Sequence, residues 1–243
     1  GLISEGRVNT VGDEYQKKLN TSSYEVISDD YEDGEGGYPA KTKMSKPESV
    51  GALPFKTKVG IGLCIATWFI LITSFSLFET IQTPYLNDNY GWEPFQIGLA
   101  GAAAGILIII EAIILPKLTS RYGEKAIMVC GFAGCSVSLI LLAYPWSPKV
   151  PSPAYFMVFL YVFFLGYGFA QLSELVLYSK LLGNLPQGVF MGYLTSSGSL
   201  ARIVGPLWAV SLYNLNHNGT PMFLVVGGVM LLGTLLGLGV PNP

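Results

Sequence analysis

Four ionisable residues lie inside long apolar runs of this sequence, where a charged side chain needs a specific environment. Arg202 lies near the middle of one run, within "SSGSLARIVGPLW" (196–208). Glu79, Glu111 and Glu174 lie in three other runs, and Glu111 is the deepest of the three carboxylates. Ionisable residues inside membrane segments mark substrate, ion or proton pathways because burying them in lipid is costly. We therefore expect these four residues to line a translocation pathway.

The chemistry available to such a pathway is anion binding and proton transfer. The Arg202 guanidinium is a planar fork of donors that stays protonated, which suits a carboxylate, a phosphate or a chloride ion. Proton coupling requires a carboxylate that changes protonation during the cycle, and Glu111 is the best candidate by depth. Two alternatives stay open here. Arg202 could belong to a structural ion pair, and Glu79 and Glu174 could be solvated near the ends of their runs.

The composition identifies the surrounding medium as a bilayer. The sequence is 51% hydrophobic and 12% charged, with a mean hydropathy of +0.47, whereas a soluble domain is about one quarter charged. Six runs reach the length of about 18 residues that a membrane span needs. Their bounds are 59–82, 95–115, 125–144, 154–177, 189–212 and 221–240. Because lipid leaves backbone groups unsatisfied, we predict an all-α polytopic membrane protein with six transmembrane helices.

The N-terminal part is different in character. Residues 1–57 are polar, acidic and then basic, and show no apolar periodicity. This pattern predicts a disordered cytosolic linker in front of a six-helix bundle at 58–243. Within the linker, Tyr24 and Ile27 fit the Tyr-x-x-apolar form that endosomal sorting adaptors bind, although so short a match arises often by chance.

Other features bear on movement and on chemistry. Gly198, Gly205 and Pro206 flank Arg202 and predict a hinge in the fifth span, because proline removes a helical hydrogen bond. The sequence shows no nucleotide-binding loop, nucleophile motif or Cys/His cluster. We therefore expect no enzyme activity, no cofactor, no metal and no nucleic-acid partner.

The loop between the second and third spans carries a family resemblance. The stretch "PKLTSRYGEK" (116–125) is similar to the G-x-x-x-D-R-x-G-x-R/K loop of the major facilitator superfamily, with matches at Arg121, Gly123 and Lys125. Pro116 and Ser120 replace its glycine and aspartate, so the charge relay is incomplete. The resemblance implies the C-terminal half of a twelve-helix fold, with the other six-helix half upstream. Because the chain does not begin with Met, we expect it to be a fragment.

Three further stretches resemble a lysosomal branch of that superfamily. They are "FETIQTPYLNDNYGW" (78–92), "SRYGEKAI" (120–127) and "LYSKLLGNLPQGVFMGYLTSSGSLARIVGP" (177–206). This resemblance implies an endosomal or lysosomal secondary carrier that works by alternating access. The arginine at residue 202 predicts a small anionic or zwitterionic solute, with protons as a further candidate. An anion channel that conducts chloride and a non-transporting membrane scaffold are the alternatives. Asn218, in "NGT", is a candidate glycosylation site in a short outer turn.

The distribution of Lys and Arg predicts the orientation. Five of the fourteen lie just before the first span, in residues 41–58. Lys117, Arg121 and Lys125 lie between the second and third spans, and Lys180 lies between the fourth and fifth. The positive-inside rule therefore places the N-terminal linker and the C-terminus in the cytosol.

This orientation predicts that residues 45 and 88 lie on opposite sides of the membrane. A membrane-impermeant thiol reagent added to intact vesicles should label only one of the two variants Ser45→Cys and Asp88→Cys. The unsubstituted chain controls for the native cysteines. Labelling of both variants from the same side would contradict the topology.

Overall fold

A computed structural model of the chain describes residues 54–143, 152–183, 185–215 and 219–241. These residues form six helices and no strand, as predicted. In chain order they are α1 (Phe55–Tyr90), α2 (Pro94–Tyr122), α3 (Glu124–Ala143), α4 (Pro153–Leu182), α5 (Gln187–Leu215) and α6 (Thr220–Gly239). Residues 1–53, with Tyr24 and Ile27, lie outside the described residues, and so does Asn218.

Five of these described helices are long and apolar enough to cross a membrane, and α5 is the exception. Helix α5 combines Arg202 with a series of Gly, Ser and Thr residues, which lowers its hydropathy. Helix α1 is longer than predicted, with 36 residues, or about 54 Å. It continues through Pro84 and ends at Tyr90, where Gly91 follows with a left-handed φ of 65°. It therefore extends well beyond a hydrocarbon core of about 30 Å.

The helix ends are joined across the bundle on two faces. On one face, Lys125 Nζ donates to the Leu238 carbonyl at 2.9 Å, and Lys180 pairs with Glu124 at 2.5 Å. On the opposite face, the Tyr213 hydroxyl donates to Asp88 at 2.7 Å. The helices thus alternate in direction, and the ends of α2, α4 and α6 share one face. The membrane side to which that face belongs stays a prediction.

The packing repeats after three helices. After a shift of three helices, the contact between α1 and α5 corresponds to the contact between α4 and α2. The contact between α3 and α4 likewise corresponds to the one between α6 and α1, and α3 also contacts α6. Since the helices alternate, the two three-helix units run in opposite directions, which is the form of an inverted repeat. Helices α2 and α5 are corresponding members of this repeat. The most apolar segment of α2 is largely exposed, since only 22% of its residues are buried.

Candidate solute site and buried carboxylates

One face of α5 carries small and polar residues at exposed positions. They are Gly188, Gly192, Thr195, Ser199 and Arg202. Their spacing of three and four residues places them on one side of the helix. About a quarter turn away lie three large exposed side chains, Leu200, Ile203 and Leu207. The large apolar face suits lipid, whereas the first face, here called the α5 polar stripe, suits water or another helix.

The remaining face of α5 packs closely on α1. A Cβ at Gly198 would lie 2.8 Å from Trp68 Nε1, and one at Gly205 would lie 3.0 Å from the Thr73 carbonyl oxygen. These glycines therefore bring the two helices together, and α5 continues as a helix through Pro206. Two of the three predicted hinge residues thus have a packing role. Movement at this point stays a prediction.

Arg202 lies near one polar residue of another helix, Tyr167 of α4. Both Arg202 and Glu79 are close enough to Tyr167 to act electrostatically on its hydroxyl. Arg202 and Glu79 are exposed in the described six-helix unit, and the Tyr167 ring stacks on Phe75 at 4.4 Å. Arg202 makes no ion pair within the part of the chain that the structure describes, so a structural ion pair has no partner there. Arg202 of α5 and Glu79 of α1 are thus exposed residues that both lie near the buried Tyr167 of α4.

Glu111 lies elsewhere, between α2 and α4. The residue is 1% exposed, and neither carboxylate oxygen has a hydrogen-bond partner among the described residues. The carboxylate occupies the space that Gly168 leaves on α4, where a Cβ would overlap Oε2. Cys135 of α3 is close enough to interact with it electrostatically. Glu111 therefore fits between helices only because residue 168 has no side chain.

Glu174 is fully buried, so solvation near the end of its span is the wrong interpretation. Thr67 Oγ1 lies 2.5 Å from Glu174 Oε1, and also 2.9 Å from the Leu63 carbonyl oxygen. A threonine hydroxyl has one proton. Thr67 therefore donates either to the carboxylate or to its own helix, and in the second case a protonated Glu174 can donate to Thr67. The direction of this hydroxyl is coupled to the protonation of Glu174.

The four predicted pathway residues do not form one cluster. Arg202 and Glu79 are exposed, whereas Glu111 and Glu174 are buried separately against or within α4. Glu111 contacts α4 at Gly168, and Glu174 lies six residues further along the same helix. This separation is about 9 Å. Sequence reasoning missed Tyr167, Thr67 and Gly168. Among these, only Gly168 carried a signal, as a small residue in a membrane helix that allows close contact.

The predicted loop motif forms the turn between α2 and α3. Gly123 has a φ of 80°, and its N–H donates to the Thr119 carbonyl at the end of α2. Arg121 lies 5.5 Å from the centre of the Tyr122 ring, and Lys125 reaches the end of α6. The ion pair at this turn is made by Glu124 with Lys180. Within the described ranges, no group of three or more His, Cys, Asp or Glu residues could hold a metal ion.

The fit of Glu111 against Gly168 predicts non-additive effects on stability. Gly168→Ala should lower the free energy of unfolding in detergent by about 1–3 kcal/mol, because the new methyl group overpacks the contact. In a Glu111→Ala background the same change should be neutral or stabilising, since alanine favours a helix. Thermal and denaturant unfolding measure both effects. Gly134→Ala is the matched control, because a Cβ there meets no atom within 4 Å. Equal losses in both backgrounds would exclude the contact.

Comparison with known proteins is consistent with this architecture. The chain is 25% identical to major facilitator superfamily domain-containing protein 8 of Xenopus laevis, covering 63% of this chain and 40% of that protein. It is 27% identical to the class G tetracycline resistance protein of Vibrio anguillarum, covering 71% and 43%. It is 26% identical to the quinolone resistance protein NorA of Staphylococcus aureus, covering 69% and 42%. The chain thus spans less than half the length of these relatives. The sequence profile of the Major Facilitator Superfamily matches residues 63–243, and the chain therefore belongs to that superfamily of integral membrane proteins.

Proposed function

We propose that this chain is one six-helix half of a secondary carrier that moves a small anionic or zwitterionic solute by alternating access. The α5 polar stripe carries the proposal. It places an arginine among small polar residues on an exposed face of the unit, apart from the large apolar side chains that suit lipid. An arginine in a wet cavity binds an anionic group through a bidentate fork. Transporters place their substrate sites near the membrane midplane, between structural repeats.

A second row of small residues supports the presence of a partner half. Gly98, Gly101 and Gly105 follow one face of α2, and a Cβ at any of them would meet no atom within 4 Å. Small residues on membrane helices mark helix contacts, and α2 and α5 are equivalent in the repeat. The proposed partner is the second six-helix half, since the relatives are more than twice as long as the matched region.

The proposal also covers the cellular membrane in which the protein lies and its orientation there. We propose an endosomal or lysosomal location with both ends of the chain in the cytosol. The lysine and arginine distribution supports this orientation, and the resemblance of three sequence stretches to a lysosomal branch supports the location. Sorting adaptors that bind at Tyr24 and Ile27 are proposed partners.

A chloride channel in the same fold is the second candidate. It is favoured by one observation, that Arg202 is exposed without an ion-paired carboxylate in the described part of the chain. A point charge is sufficient to attract chloride, whereas a carboxylate or phosphate gains from the planar fork. The two candidates therefore differ in their response to a lysine at residue 202.

Substitution of Arg202 separates the candidates in the full-length protein reconstituted into vesicles. For a carrier of a bidentate anion, Arg202→Lys should weaken transport by about tenfold or more, because lysine keeps the charge but loses the fork. For a chloride channel the effect of lysine should be mild. Arg202→Ala should abolish either activity. Flux assays at matched protein level measure these effects.

The matched control is Leu207→Ala on the exposed apolar face of α5, which should leave flux unchanged. Leu207 is 68% exposed and lies just beyond Arg202. Full flux by Arg202→Ala would show that the arginine serves packing and not transport. A non-transporting scaffold would give no flux in the unsubstituted protein either. Flux faster than a carrier turns over would favour the channel.

Proton coupling through a buried carboxylate is a separate prediction. If Glu111 carries the coupled proton, transport by Glu111→Gln should lose its dependence on pH, because glutamine cannot exchange a proton. Glu174→Gln is the comparison, since Glu174 is the other buried carboxylate of the described unit. Transport by Glu111→Gln with its full pH dependence would remove Glu111 from this role. Loss of pH dependence in Glu174→Gln alone would assign the proton to Glu174.

A further inference from the structure

An apolar groove runs along the outside of the bundle where α2, α3 and α4 meet. Its volume is about 430 Å³, and its walls include Tyr122, Cys130, Gly134, Val162 and Phe169. Two features make it concave. The backbones of α3 and α4 touch at Gly131 and Gly166, where a Cβ on Gly131 would lie 2.5 Å from the Gly166 carbonyl oxygen, and Gly134 leaves open space. The groove is therefore a fixed shape set by glycines.

The groove opens into a second cavity at the end of the bundle. This cavity has a volume of about 730 Å³ and includes Glu124, Lys125 and Lys180 in its walls. The two cavities share Tyr122, Ala126 and Cys130, so they adjoin. Glu124 neutralises one of the two lysines, which leaves the mouth with one net positive charge. Lys125 gives one hydrogen bond to Leu238, and its ammonium has two further donors.

The depth of the groove matches one leaflet of a bilayer. Lys125 and Gly134 lie nine residues apart on α3, which is about 13 Å along the helix. Half of a hydrocarbon core is about 15 Å. A chain that starts at the cationic mouth and follows α3 therefore reaches the middle of the bilayer near Gly134.

We propose that this groove binds one anionic glycerophospholipid from the bilayer. An acyl chain lies along α3 between Cys130 and Gly134, and the headgroup phosphate accepts hydrogen bonds from Lys125 at the mouth. The combination favours a lipid over a soluble anion, because the cationic mouth continues into an apolar channel of leaflet depth. It favours an anionic over a zwitterionic lipid because the mouth carries net positive charge, and basic pockets between helices bind anionic headgroups.

Native mass spectrometry of the purified protein tests the proposal with phosphatidylglycerol and phosphatidylcholine as probes. The expected result is one retained phosphatidylglycerol and weaker retention of phosphatidylcholine. Lys125→Gln should weaken phosphatidylglycerol binding by about fivefold, the factor expected for one cation beside an anionic headgroup. Gly134→Leu should remove the bound lipid by filling the groove. Gly228→Leu is the control, because Gly228 is equally open but lies on α6 outside the groove.

Several results would overturn the proposal. Equal retention of the two lipids, or unchanged binding by Lys125→Gln, would exclude recognition of the headgroup. Equal loss in Gly228→Leu would indicate general contact with surrounding lipid. Dissociation of a dimer by Gly134→Leu, without loss of lipid, would make a second copy of the chain the occupant.

The native cysteines give a test that needs no substitution. Cys130 is exposed in the groove, whereas Cys64 and Cys135 are buried. Phosphatidylglycerol should slow maleimide labelling of Cys130 in detergent more than phosphatidylcholine does. Labelling rates that are the same with either lipid would also overturn the proposal.

Discussion

The six-helix unit depends on helix backbones that touch where glycine leaves no side chain between them. Lipid provides no hydrophobic driving force between helices, so close packing and polar contacts hold them together. Gly131 and Gly166 bring α3 against α4, and Gly205 brings α5 against α1, while Gly198 leaves room on α5 for the Trp68 side chain of α1. A Cβ at any of these positions would meet a neighbour at about 3 Å or less. The positions of the functional side chains follow from these contacts.

The same constraint explains where the charged groups lie. Glu111 is inside the unit because Gly168 leaves space for its carboxylate, and Glu174 is inside because Thr67 offers it a hydroxyl. Arg202 is one residue beyond Ala201, which is fully buried in the same helix. One residue turns an α-helix by about 100°, so the guanidinium lies at the edge of the packed face. The unit thus separates two groups suited to protons, which are enclosed, from one group suited to anions, which is open.

The sequence predicted the helices better than the faces they present. Long apolar runs located all six helices, because a membrane span has a required length and composition. The apolar runs underestimated the length of α1, because the helix continues through Pro84. The sequence predicted how deep Glu111 and Glu174 lie along their helices. It could not predict which residues surround them, because those depend on how the helices pack. Thr67 lies 107 residues from Glu174, and no local pattern connects the two.

The exposed polar face of α5 is the feature that a single six-helix unit leaves unexplained. A guanidinium in contact with hydrocarbon is costly, whereas one in a wet cavity between helices is not. Thr195 and Ser199 each donate a hydroxyl hydrogen bond to a carbonyl one turn earlier in α5, so the stripe is satisfied without lipid or a partner. Arg202 has no such bond within its own helix. The other residues of the α5 polar stripe have small side chains, so the stripe has no large projections. The charge of Arg202 makes the stripe unsuitable for lipid. Those two properties together support the proposal that this face meets water and a partner half.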